Sequence, residues 1–468
     1  MKHHHHTTPA PAEPTLSEIG TWPLSLRHLH ERLASRFARS EPRRRALLYL
    51  QAVISDIPRK NGWQIAEHAK EQRPSGMQRL LSQAVWDHEG VRDELRTFLW
   101  QALSPLPLPW EAASPAAPFP VLVIDESGFP KRGHHSAGVQ PQYCGTTGRV
   151  ENCQVGVFLS SVTALGHGLI DRELYLPEDW CDDPARRLAA HIPQSVTFQT
   201  KPELARRMLQ RAQSAGLPID WVVADTVYGH SPDLRIFLEE QGYAYALAVA
   251  CTEVICVQTQ AGSLLSSVAS IAQQALDAQD WQPLSQSLGT KGERLFDWAI
   301  LPWFQRGSVD GRHFLVVRRC LDPPHELAYY LVFAPPATTL PTIVRAIGAR
   351  WHIEEDLQAS KDLGLDQYEV RSYIGWYRHI TLVMLASAFL VGIRVQESRP
   401  LPAPSPAPVA LPAQALIAFT TSEVRHLLAR LIWPAPTSAP LICQWSWWRR
   451  VHQYWAGYYH RRRREKAG

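Results

Sequence analysis

Three acidic residues, far apart in the chain, have the type and placement to assemble one reactive centre. Asp125 follows the apolar run Val121-Leu122-Val123-Ile124, and Asp225 follows Trp221-Val222-Val223-Ala224. Each run has the character of an interior strand covered on both faces, and each aspartate is expected to stop its strand. Beyond Asp125 and Glu126, Gly128 and Pro130 are expected to turn the chain. A carboxylate at the end of a buried strand is costly unless a metal, a cation or water receives it. Strand ends within one sheet are also where separated carboxylates converge.

The third acid comes from the stretch RWHIEEDLQASK. At about 100° per residue, Arg350, Glu354 and Lys361 fall within about 40° of one another on a helix, whereas Glu355 points about 100° away. Two strand-end carboxylates and one helical carboxylate suit a pair of Mg²⁺ ions, with Mn²⁺ able to substitute. Such ions take hard oxygen ligands and sit about 3.5–4 Å apart in two-metal phosphoryl transfer. Arg350 and Lys361 would then bind the phosphates flanking the scissile one. A plainer reading stays open on spacing alone: three solvated acids, with Glu354 paired to Arg350 at i, i+4.

The elements that must position these residues follow from the pattern along the chain. Residues 16–104 read as helical and basic, and NGWQIAEHAKEQRPSGMQRLL could hold two short helices around Arg73-Pro74-Ser75-Gly76, compatible with a helix-turn-helix. A proline-rich linker at 105–120 marks a boundary. From residue 121 strands dominate: VLVID, then QVGVFLSSVT and HGLIDRELYL as a meander, the helix 201–216, WVVAD, a helix at 231–241 and YAYALAVA. This predicts a mixed α/β sheet that resembles the ribonuclease-H-like core. Residues 121–251 and 336–396 are expected to form that core, interrupted by a β-rich insertion at 252–335. A single helix from about 340 is expected to carry Arg350, Glu354 and Lys361, followed by an apolar core helix at 376–393. A second proline-rich linker at 397–415 leads to a basic, aromatic C-terminal segment, 416–468.

Composition bounds the class. With 468 residues, 45% hydrophobic and 20% charged, the chain is an ordinary globular protein of more than one domain. Its net charge is only +4, but Arg449, Arg450 and Arg461 to Arg464 cluster near the end and favour a polyanionic partner. Seven cysteines without a CxxC pair, and no signal peptide, point to reduced thiols in a cytoplasmic compartment. The run LVMLASAFLVGI is too short for a bilayer span, so no membrane partner is expected. No Walker A or GxGxxG motif occurs, so no nucleotide fuel is implied. Ser127 stands where a haloacid-dehalogenase-type phosphatase would need a second aspartate, and it lacks the preceding glycine of a nucleophile elbow. His379 reads as a DNA contact or, preferably, as a structural residue of its helix.

The sequence resembles the DDE transposases of bacterial insertion sequences, in the branch whose third acid lies in a Y-(2)-R-(3)-E-(6)-K signature. Arg350, Glu354 and Lys361 match that spacing, with Ile347 in the tyrosine position. IDESGFPKRG resembles the first-aspartate segment of the family and VVADTVYG the second. QYCGTTGRVENCQVGVFLS, LIDRELYLPEDW and YEVRSYIGWYRHITLVMLA also resemble family blocks, in the same order, over roughly residues 25–395. The resemblance implies Asp125, Asp225 and Glu354 as catalytic, metal-holding acids, and an N-terminal helical domain that binds transposon ends. Lys131, Arg132, Arg350, Lys361, Arg449 and Arg450 are the expected contacts to double-stranded DNA. It also implies a homodimer on DNA and a nucleoid-associated location. A non-cutting DNA-binding regulator descended from such an enzyme is the alternative.

Overall fold

The computed structural model describes residues 16–104, 120–259, 262–289, 292–303, 311–398, 419–434 and 438–467. Most of both expected proline-rich linkers lies outside the described residues. The chain forms two compact units, one from Met1–Leu95 with Ala359–Gly468, the other from Arg96–Gln358.

The second unit is built on one ten-stranded sheet. Its strands are β1 (Val121–Pro130), β2 (Gln140–Cys144), β3 (Arg149–Thr163), β4 (Gly166–Tyr175), β5 (Trp221–Ala224) and β6 (Ala244–Val249), then β9 (Gln282–Gly289), β10 (Gly292–Pro302), β11 (His313–Arg319) and β12 (Leu327–Phe333). The remaining strands, β7 (Val254–Thr259) and β8 (Gly262–Ser267), form a separate hairpin. Strands β1, β3 and β4 make an antiparallel meander, and β5 and β6 run parallel to β1, in the spatial order β4-β3-β1-β5-β6. That is the ribonuclease-H-like order. The β-rich segment continues the same sheet, because β12 pairs antiparallel with β6 and β11, β10 and β9 follow outward.

Local sequence explains why these elements form. Val121 to Ile124, Trp221 to Ala224 and Ala244 to Leu247 are all buried, as unbroken apolar runs demand. The helix Lys201–Ser214 starts on a complete capping box, Thr200 with Glu203, and the chain leaves it through Gly216 at φ +72°. It places Leu204, Ala205, Met208, Leu209 and Ala212 in the core. The same helix holds Arg211 against Asp171, fully buried on β4, at 2.9 Å. Burial would make Asp171 expensive unpaired, so this ion pair ties the helix to the meander.

Two expectations about boundaries are corrected. Asp125 and Glu126 do not stop β1, which runs on to Pro130 because its second half keeps its antiparallel partner, from Glu126 opposite Val157 to Pro130 opposite Cys153. The expected single helix from 340 is two, Leu340–Gly348 and Trp351–Asp362. Gly348 lies so close to β9 that a Cβ there would collide with the Gln286 carbonyl. The chain leaves the first helix at this poor helix former, and Arg350 falls in the break.

The other unit is helical, with helices including Trp22–Arg32, Ser40–Ile54, Gly62–His68, Ser75–Ser82, Tyr373–Ser398, Thr421–Leu427 and Ala439–Ala467. Gly62–His68 and Ser75–Ser82 are the two short helices anticipated there. Tyr373–Ser398 is apolar enough to cross a membrane by composition, yet 83% of its most apolar window is buried inside the protein. Its His379 is fully buried and bonded on both ring nitrogens, to the Tyr49 hydroxyl at 2.7 Å and the Gly364 carbonyl at 3.0 Å. The structural reading of that histidine is the right one.

Candidate active site

The register of the central strands sets up the first two acids. In the parallel pair β1–β5, Ile124 is opposite Ala224, and the pairing ends there. Asp125 and Asp225 are therefore the next residues on neighbouring strands. Asp225 leaves the sheet and caps the short helix Thr226–Gly229, its Oδ1 accepting from the Val227 amide at 3.0 Å. Gly229 lets that helix press onto β6, since a Cβ there would collide with the Ala248 carbonyl oxygen.

Asp125 remains in the sheet, its side chain 15% exposed, with Oδ1 accepting from the Glu126 amide at 2.8 Å. Burial first, and then the Asp225 charge, push its carboxyl up to about 7, with Arg350 pulling the other way. Asp225 is also raised, by burial and by Glu126. Two raised carboxyls side by side form the kind of perturbed pair that clusters at functional sites.

Arg350 supplies part of that charge. From the break before its helix it reaches Asp125 Oδ2 at 3.4 Å with Nη1 and Glu354 Oε1 at 2.7 Å with Nη2. Glu354, in the first turn of Trp351–Asp362, is thereby joined to the strand carboxylate through one guanidinium. The plain i, i+4 pairing of Glu354 with Arg350 is present, and the same guanidinium also touches Asp125. Glu355 turns elsewhere, towards His352 and His167. Hard carboxylate oxygens of this kind fit a divalent cation.

The remaining expected contacts are distributed. Lys131 and Arg132 follow the end of β1, the first half-buried and the second exposed, and the Lys131 amide donates to the Asn152 carbonyl at 2.9 Å. Lys361 lies two turns beyond Glu354 on the same helix and belongs to the other compact unit. In that unit Arg449 is ion-paired with Glu67 at 2.7 Å, while Arg450 is exposed.

Sequence reasoning missed the partners of Glu126. Its carboxylate receives Lys201 Nζ at 2.5 Å and the Tyr228 hydroxyl at 2.8 Å. Tyr228 is fully buried, and its hydroxyl is raised well above the usual tyrosine value by burial and then by Glu126. The only available signal was Tyr228 three residues after Asp225, one helical turn onward; nothing local marks Lys201.

The family described as "DDE superfamily endonuclease" matches residues 32–263. The chain is 25% identical over 332 residues to the "Probable transposase for insertion sequence element IS701" of Microchaete diplosiphon, covering 70% of this chain and 77% of that protein. Among solved structures, it is similar to the piggyBac transposase synaptic complex with hairpin DNA at TM-score 0.42 and 11% identity, over 94% of this chain and 87% of that one. It is also similar to Ciona intestinalis endonuclease V at TM-score 0.22 and 10% identity, over 58% of this chain and 96% of that one. The region that matches the DDE superfamily endonucleases contains Asp125 and Asp225, and with the insertion-sequence relative it supports a metal-dependent, DNA-cleaving transposase of the bacterial insertion-sequence kind.

Proposed function

We propose that this protein cuts double-stranded DNA at the ends of its own insertion sequence and joins the freed ends to target DNA. The observation carrying this reading is the linkage of Asp125, beside Asp225, to Glu354 through Arg350. Asp125, Asp225 and Glu354 would hold two Mg²⁺ ions. When bound, the ions supply Lewis acidity at the scissile phosphate and lower the pKa of attacking water.

The chain's own residues do the rest. Arg350 is released from its two carboxylates and turns its planar fork to a phosphate, a pairing that guanidinium geometry favours. Lys361, on the same helix, adds a second cation for a neighbouring phosphate. Lys201 and Tyr228 fix Glu126, so that its charge does not wander into the acid pair. Lys131, Arg132 and Arg450 contact the DNA backbone, and Arg449 does so while anchored by Glu67. The helices of residues 16–104 read the transposon end, and two copies of the chain act together on paired ends.

The test uses the full-length protein with Asp125→Asn, Asp225→Asn or Glu354→Gln. Each variant should lose Mg²⁺-dependent cleavage of terminal-repeat DNA while retaining its binding, because affinity comes mainly from phosphate contacts. Normal cleavage by any one of them removes that residue from the catalytic set.

A further inference from the structure

We infer a second metal site on the same unit, formed by His167, His352 and Glu355, with the ligand chemistry of a single Zn²⁺-class ion. The site is independent of the catalytic reading above. One ligand atom from each of the three side chains lies within 4.8 Å of the other two. His167 enters from the start of β4, and His352 and Glu355 from the first turn of the helix Trp351–Asp362, one turn apart. His167 Nε2 is 3.5 Å from Glu355 Oε2, and His352 Nδ1 is 2.8 Å from the same oxygen. The two imidazole rings stack with centroids 4.4 Å apart and 24° between planes.

The surroundings orient the cluster as a site. Asp356, only 4% exposed, takes a hydrogen bond from His167 Nδ1 at 2.8 Å and another from the Ser160 hydroxyl at 2.5 Å. With its proton committed to that buried carboxylate, His167 presents the Nε2 lone pair on the side of Glu355. A carboxylate behind an imidazole is the arrangement that fixes tautomer and ring direction in metal-ligating histidines. For bonds of about 2.0–2.1 Å, adjacent ligands of a tetrahedral ion lie about 3.3 Å apart, close to the His167–Glu355 spacing.

Donor chemistry separates this cluster from the acid triad. Two nitrogens and one oxygen suit Zn²⁺ or Co²⁺, whereas Asp125, Asp225 and Glu354 offer only hard oxygens, suited to Mg²⁺. Half-exposed Glu355 leaves room for water to complete the shell. The consequence is positional: an ion here would fasten the helix that carries Glu354 to the β3–β4 hairpin.

The experiment titrates Co²⁺ into chelator-treated full-length protein carrying Asp125→Asn, Asp225→Asn and Glu354→Gln together, with His3→Ala, His4→Ala, His5→Ala and His6→Ala, so that neither the acid triad nor the N-terminal histidine run can contribute. One equivalent should bind with the visible absorption of four- or five-coordinate Co²⁺, be displaced by Zn²⁺ and be unmoved by Mg²⁺. Adding His167→Gln or His352→Gln should abolish the band, and Asp356→Asn should weaken affinity about 10–100-fold. Glu355→Gln, which keeps the size and shape of a half-exposed side chain, should weaken binding at least 10-fold with an unchanged circular dichroism spectrum. No band in the triad variant, or equal affinity after Glu355→Gln, overturns the site.

Discussion

Asp125 and Asp225 are the first residues beyond the last paired rung, Ile124 opposite Ala224, of the parallel strands β1 and β5. Neighbouring parallel strands hold that rung rigidly, so the two carboxylates meet by register rather than by loop flexibility. Each then carries a raised pKa, from burial first and then from a neighbouring acid, Asp225 for Asp125 and Glu126 for Asp225.

The raised Asp125 carboxyl gives a pH signature. A group whose folded pKa lies above its unfolded value contributes stability in full below the unfolded value, here 3.8, and loses it as pH rises through the folded value of about 7. In metal-free buffer the protein should therefore lose stability across that window, and Asp125→Asn should flatten the loss. Mg²⁺ should restore stability most at the upper end, because binding competes with the proton. Thermal unfolding with and without Mg²⁺ across pH checks this, and identical curves for wild type and Asp125→Asn would contradict it.

Tyr228→Phe should preserve the fold and slow cleavage. The change deletes the hydrogen bond that holds Glu126 Oε2, at a net cost of about 1–2 kcal/mol. Glu126, then held by Lys201 alone, would add repulsion beside Asp225 and compete for cations, so the apparent Mg²⁺ requirement should rise several-fold. Cleavage rates as a function of Mg²⁺ measure this, and an unchanged Mg²⁺ curve would show that Glu126 needs no anchor.

Lys60 in the helical unit should report pH in the opposite direction from Asp125. It is 2% exposed, donates to the Ser55 and Ile57 carbonyls, and is lowered from 10.5 to about 7 by burial and then by Arg425. Between those values the unfolded chain holds the extra proton, so stability rises with pH through the window. From about pH 7 to about pH 9, wild type should gain on the order of 2 kcal/mol relative to Lys60→Met. Denaturant unfolding at the two pH values decides it, and a pH-independent difference would mean that Lys60 titrates normally.

Arg449 and Arg450 should separate on mutation to alanine. Arg450 is exposed, so its loss should weaken binding to all DNA alike and reduce the salt slope by roughly one phosphate contact. Arg449 is tied to Glu67, so its loss should also lower the melting temperature. Binding isotherms at two salt concentrations, with thermal melts, distinguish the two, and equal melting temperatures would assign Arg449 no anchoring role.

The sequence by itself determined the parts that local pattern controls. Unbroken apolar runs specified β1, β5 and β6 as interior strands, Thr200 and Glu203 specified where their helix starts, and i, i+4 spacing specified the Arg350–Glu354 pair. These are properties of a few neighbouring residues, and periodicity reports them directly. Tertiary structure alone decided the rest. Only pairing with β3 shows that β1 continues past Asp125, and only packing of Gly348 on β9 explains why Arg350 sits outside the helix it was expected to join. The grip of Lys201 on Glu126 and the meeting of His167 with His352 join residues remote in sequence. Such contacts depend on where whole elements come to rest against one another, and no local periodicity encodes that.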